Sequence, residues 1–161
     1  MQPIIELFHI PNELTVEFLG TFARFEYALK RAGYVQGDEK RVSADWDRLG
    51  RELALLDTAT VTPVIGRGQY LLNHPPMKQA LEHGKLVWKA RVATGSQIED
   101  ILLSVRTVRN NVFHGGKFPD GPVAEPLRDE LLIRDCLAVI NALLSLPKIP
   151  RQIAEYFRPE A

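Results

Sequence analysis

A length of 161 residues, of which 45% are hydrophobic and 25% charged, fits one globular domain with one core, so residues 1–161 are read as a single domain. The 20 basic and 20 acidic side chains cancel, which argues against strong non-specific nucleic-acid binding, a property that usually leaves an overall basic footprint. One cysteine, Cys136, excludes an internal disulfide and any zinc site of paired thiolates.

The start of the chain, residues 1–6, lacks the basic residues and apolar run of a secretory signal. The longest apolar stretch, 137–146, is broken by Asn141 and too short for a bilayer, so a cytoplasmic protein without membrane contact is expected. Leu14, Phe18, Phe22, Phe25 and Leu29 recur at three- and four-residue spacing and predict an amphipathic core helix over 13–31, ending near Gly33. Glu26 flanks that stripe, either as a solvated boundary carboxylate or as an acid that pairs or serves a site. Ser43 is placed to cap a second helix with Trp46, Leu49, Leu53 and Leu56 inward.

From 58 to 76 the prolines, glycines and threonines interrupt any steady period, and the expectation is irregular chain with a short helix at 68–72. Gly66-Arg67-Gly68 is too short for a phosphate loop and reads as a turn. Pro76 can open a short helix to His83 with Gly84 closing it, and 85–93 alternates weakly, as a short strand or an extended arm does. Ser96-Gln97-Ile98-Glu99 is a capping box, and behind it Ile98, Ile101, Leu102, Val105, Val108 and Val112 hold the helical period up to Gly115-Gly116. Pro126 then starts a long helix with Leu127, Leu131, Cys136, Ile140, Leu143 and Leu144 inward, where Cys136 is a structural thiol. Pro147 and Pro150 stop it, and a last short helix carries Ile153 and Phe157. Four or five helices without a convincing sheet make an all-α bundle.

On the helical wheel Arg109 lies in the middle of the apolar stripe, between Leu102 and Val105. A guanidinium there needs either an acid, such as Glu26, or a ligand or partner to face. Arg106, Asn110 and His114 form a polar row beside it at four-residue steps. From 104 to 118 the charges are Arg106, Arg109 and Lys117 with no acid, whereas 120–135 holds five acids against two arginines. That asymmetry admits an anionic ligand near Arg109, or else the charges pair across helices. His9, His74 and His83 have no motif around them and are assigned surface or structural roles.

The string Arg109-Asn110-Asn111-Val112-Phe113-His114, at the end of a long helix and followed by Gly115-Gly116-Lys117, resembles the HEPN superfamily. Its ribonucleases carry an arginine, usually followed by a polar residue, then a histidine after four to six positions. Arg109, Asn110 and His114 match, with four residues between arginine and histidine. The early Phe22-Ala23-Arg24-Phe25-Glu26-Tyr27-Ala28-Leu29 helix also looks like the first helix of such domains. The resemblance implies a HEPN-like bundle of four to five helices, and a homodimer that joins two motifs in one cleft. It also implies RNA cleavage without metal or cofactor. His114 would act as general acid and base for attack by the 2′-hydroxyl, Arg109 would hold the developing phosphate charge, and Asn110 would orient the histidine or a phosphate oxygen. Arg106 and Lys117 would contact RNA phosphates. No close cluster of histidines, cysteines and carboxylates accompanies the motif, so no metal is implied.

Some toxin members have a tyrosine two places after the histidine as a site of inactivating modification; here that place is Gly116, which puts such control in doubt. The leading expectation is an endoribonuclease of toxin, defence or RNA-processing type. Its partners would be RNA, a second copy and, for a toxin, a protein antitoxin or regulator. The competing expectations are a catalytically inactive HEPN-like module that binds nucleotide, RNA or protein, and a helical interaction subunit whose Arg109 is an interfacial ion-pair residue.

Overall fold

Helix α1 spans Asn12–Arg31, and its predicted stripe is the buried one: Leu14, Phe18, Phe22, Phe25 and Leu29 all face the core. The computed structural model describes residues 10–114, 125–147, 149 and 151–158. After α1 the chain forms a hairpin of β1 (Val35–Gly37) and β2 (Val42–Ala44), with Val35 opposite Ala44. Ser43 is therefore a ladder residue rather than the expected cap. The cap of α2 (Trp46–Ala54) is Asp45, whose carboxylate accepts from the Arg48 amide at 2.9 Å. Trp46, Leu49 and Leu53 are buried as expected, and Leu56 packs partly against the core.

The short helix expected at 68–72 is α4 (Gln69–Asn73), but the stretch before it, expected to be irregular, is a helix too, α3 (Thr58–Arg67). Two caps and tertiary contact outweigh the helix-breaking residues. Asp57 accepts from the Thr60 amide at 3.0 Å and from its hydroxyl at 2.8 Å, and Val61 and Val64 are buried on the inner face of α3, which includes Pro63. The first amides of α4, those of Tyr70 and Leu71, donate to Asp135 at 2.8 and 3.3 Å. Burial raises the Asp135 carboxyl above the ordinary carboxylate range, and those two amides act against the rise. Gly68 is the joint between α3 and α4: a Cβ there would lie 2.7 Å from Cδ1 of Ile101, so only a glycine lets the joint approach the next long helix this closely.

The helix expected from Pro76 to His83 is instead a strand, β3 (Lys78–Glu82), paired antiparallel with β4 (Lys85–Lys89). The reason is the turn. His83 and Gly84 have φ of 48° and 74°, the successive positive values of a two-residue hairpin, so Gly84 reverses the chain rather than closing a helix. The alternation noticed from 85 onward is the β4 strand.

Helix α5 (Gln97–Phe113) packs against α1, α2, α3, α4 and α6 (Pro126–Leu144). Its burial follows from that central place: Ile98, Ile101, Leu102, Val105, Val108 and Val112 are joined by buried Ser104, Thr107 and Asn111. Ser96 accepts from the Glu99 amide at 3.5 Å, but the return half of the capping box is missing, because the Ser96 amide donates to the Thr94 hydroxyl at 3.2 Å. Along α6 the inward set is Leu132, Ile133, Cys136, Leu137, Val139, Ile140 and Leu143. Leu127, expected inward, is exposed and Leu131 is half-buried, because α6 is wedged among α1, α3, α4 and α5 from its second turn onward. Burial pushes the Cys136 thiol well above its ordinary pKa, in keeping with a structural role.

Helix α7 (Arg151–Phe157) lies on α1, with Ile153 buried. The Arg24 guanidinium of α1 donates to the carbonyls of Phe157 and Arg158 at 2.8 and 3.0 Å, closing the end of α7. The chain is thus mostly helical, with seven helices among the described residues where four or five were expected, and two small hairpins where no sheet was. No helix among the described residues is long and apolar enough to cross a membrane.

Candidate functional site

The last two turns of α5 separate the named residues by angle. Measured from Ile98, Arg109, Phe113, Arg106 and Asn110 fall at about 20°, 60°, 80° and 120°, while the buried Thr107, Val108, Asn111 and Val112 of these turns fall between about 180° and 320°. The polar residues and Phe113 therefore share the face of α5 that reaches solvent, with Arg109 at its border with the core.

Arg109 finds aromatic rings where an acid was one of the expectations. Its guanidinium carbon stands 5.5 Å from the ring centre of Phe22 and 4.9 Å from that of Phe113. Its Nη1 donates to Asn110 Oδ1 at 3.0 Å. Glu26 is engaged elsewhere, accepting from the indole N–H of Trp46 at 2.9 Å. Among the described residues Arg109 makes no ion pair. Ring faces attract a cation without neutralising it, so no contact among the described residues cancels the guanidinium's charge toward an anion. The rings also fix its position: Phe22 is stacked on Trp46 at 5.2 Å with an interplanar angle of 21°.

His114 is the residue at which the helix ends, with φ −99° and ψ 23°, and its amide still donates to the Asn110 carbonyl at 2.9 Å. The imidazole is exposed and meets Phe113 edge-on, ring centres 5.2 Å apart. A five-residue separation on an ideal helix turns two side chains about 140° apart. Here Arg109 and His114 both reach the Phe113 ring, Arg109 over the ring and His114 in a T-shaped contact. An exposed imidazole next to a guanidinium with no ion pair among the described residues can exchange a proton with a ligand whose negative charge the guanidinium holds.

The other expected site residues are placed differently. Asn110 is exposed, and its side-chain oxygen is taken by Arg109 rather than by His114. Arg106 donates to Asp47 of α2 at 2.7 Å, so a phosphate there competes with a carboxylate. Lys117, with Gly115 and Gly116, lies outside the described residues, as does His9. His74 stacks on Tyr70 at 4.1 Å, and His83 forms the β3–β4 turn, both structural positions.

Two residues went unnoticed in the sequence. Asn111 is buried, and its amide nitrogen donates to the Met77 carbonyl at 2.9 Å, tying the end of α5 to the start of β3. A buried amide needs such a partner, and the signal for it was an asparagine on the inner face of the helix. Phe113 stands between Arg109 and His114, and the signal was an aromatic on the outer face. Among the described residues no group of three His, Cys, Asp or Glu lies close enough to hold a metal ion.

Comparison of the chain with family models, with curated proteins and with solved structures finds no match.

Proposed function

We propose that the chain is an endoribonuclease of HEPN type, in a HEPN-like helical bundle, that cleaves RNA without a metal and acts in the cytoplasm in a toxin, defence or RNA-processing role. The observation that carries this reading is the end of α5: an arginine with no ion pair among the described residues, held by two rings, beside an exposed histidine. In the proposed reaction His114 takes the proton of the 2′-hydroxyl as O2′ bonds to phosphorus. The bond from phosphorus to the 5′-oxygen breaks, and a protonated imidazole supplies that oxygen with its proton. Arg109 offers its planar donor fork to the non-bridging oxygens as charge builds on them. The nucleophile is internal to the substrate, so the scheme needs no activated water.

Cleavage is expected to persist in EDTA and to leave 2′,3′-cyclic phosphate or 3′-phosphate ends with 5′-hydroxyl partners. End-group analysis of a labelled RNA checks it. Ends bearing 3′-hydroxyl would sink the mechanism, and loss of cutting in EDTA would sink its independence of metal.

The reading includes a two-fold homodimer with the two α5 ends near the axis, so that one protomer's His114 works across the cleft from its partner's. Light scattering is expected to give twice the chain mass at tens of micromolar, and a monomer would remove the composite cleft. A protein antitoxin or regulator belongs to the toxin form of this reading. The rival is a catalytically inactive RNA-, nucleotide- or protein-binding module, and one observation favours its protein-binding form: Asp47 occupies Arg106 and so withdraws a cation from the face that would meet an anion.

A further inference from the structure

Of the phenylalanines among the described residues, Phe18, Phe22 and Phe25 are buried and Phe157 is half-buried, whereas Phe113 is 62% exposed. It is the one exposed large apolar residue of α5, on the face that carries Arg106, Arg109 and Asn110. An isolated exposed ring is ordinary, but this one has charged and titratable neighbours on two sides. The Arg109 guanidinium lies over the ring at 4.9 Å from its centre, and the His114 imidazole stands nearly perpendicular to it at 83°, ring centres 5.2 Å apart. A flat apolar surface beside a cation is what unpaired nucleic acid uses: bases stack on aromatic rings while their phosphates meet basic side chains.

We propose that Phe113 is the base platform of the site, on which a nucleobase of single-stranded RNA stacks so that the adjoining phosphate lies at Arg109 and His114. This rests on the ribonuclease reading for what happens to that phosphate, though stacking itself is independent of cleavage. Two consequences follow from the chemistry. Every base has a π-face, so the platform selects unpaired over paired RNA far more than it selects sequence. Arg109 acts twice, as the partner that holds the ring and as the donor to phosphate, so the platform and the charge are placed by one residue.

The test compares the full-length wild type with Phe113→Trp and Phe113→Leu, after thermal melts show that all three are folded. The probe is a short single-stranded RNA, 2′-O-methylated to block cleavage, with one 2-aminopurine whose fluorescence is quenched on stacking. Wild type and Phe113→Trp are expected to quench it and to bind with similar Kd. Phe113→Leu, apolar but without a π-face, is expected to lose the quenching and bind roughly 5- to 150-fold more weakly. On cleavable RNA the same substitution is expected to raise KM more than it lowers kcat.

Leucine binding and quenching like wild type would overturn the platform and leave the ribonuclease reading to its end-group test. Quenching without cleavage would keep the platform and remove the ribonuclease. A wild type that neither binds nor quenches the probe overturns the platform outright. If Phe113→Leu turns a dimer into a monomer while quenching is unchanged, the ring serves a second copy of the chain, and the proposal is overturned.

Discussion

Replacing His114 by alanine is expected to slow RNA cleavage by about 10²- to 10⁴-fold, the usual share of a general acid–base group, while the melting temperature hardly moves. The imidazole is exposed, its ring contact among the described residues is with Phe113, and the bond that closes α5 comes from its backbone amide, which alanine keeps. Such a surface change is ordinarily worth within about 0.5 kcal/mol. Cleavage rates and thermal melts on one preparation separate the two effects, and a variant that cuts RNA as fast as wild type would transfer the site to the binding-module reading. Arg109→Ala belongs beside it. With Glu26 bonded to Trp46, removing the guanidinium leaves no buried acid uncompensated among the described residues, so the roughly 3–5 kcal/mol penalty of a broken buried pair is not expected. What is lost in stability is two ring contacts, about 0.5–1 kcal/mol each, and an exposed hydrogen bond to Asn110.

Phe22→Ala is expected to be the most damaging single change near the site, costing about 3–5 kcal/mol, as large aromatic-to-alanine truncations in cores do. For a domain of this size that corresponds to a fall of roughly 6–20 °C in Tm. Phe22 is 3% exposed, stacks on Trp46 at 5.2 Å and meets the edge of Phe18 at 6.1 Å, so its removal opens a cavity between α1 and α2. It also takes away the inner ring under Arg109, which couples core packing to the charge at the surface. Chemical denaturation measures the first effect and RNA affinity at a temperature where the variant is folded measures the second. A loss under about 1 kcal/mol would mean that the surroundings collapse into the space, against the close packing of this corner.

The sequence by itself determined those elements whose evidence is local. The apolar period of α1, the long period of α5, the proline start of α6 and the buried place of Cys136 are all statements about residues within a few turns of one another, and the structure has them. The position of Arg109-Asn110-Asn111-Val112-Phe113-His114 at the end of α5 was legible in the same way. Tertiary structure decided whatever depends on a partner distant in the chain. Asp135 caps α4 from more than sixty residues away, which no local pattern of prolines and glycines around 58–76 reveals. The β3–β4 hairpin turns on the positive φ of His83, a conformation its neighbours in the fold select and its identity only permits. Arg109 marked itself as anomalous by its place on the wheel, but that Glu26 would bond to Trp46 and Phe22 would lie beneath the guanidinium was decided by packing. Periodicity records which face of a helix turns inward; it carries no record of which side chain waits there, because that is fixed by how separate elements pack.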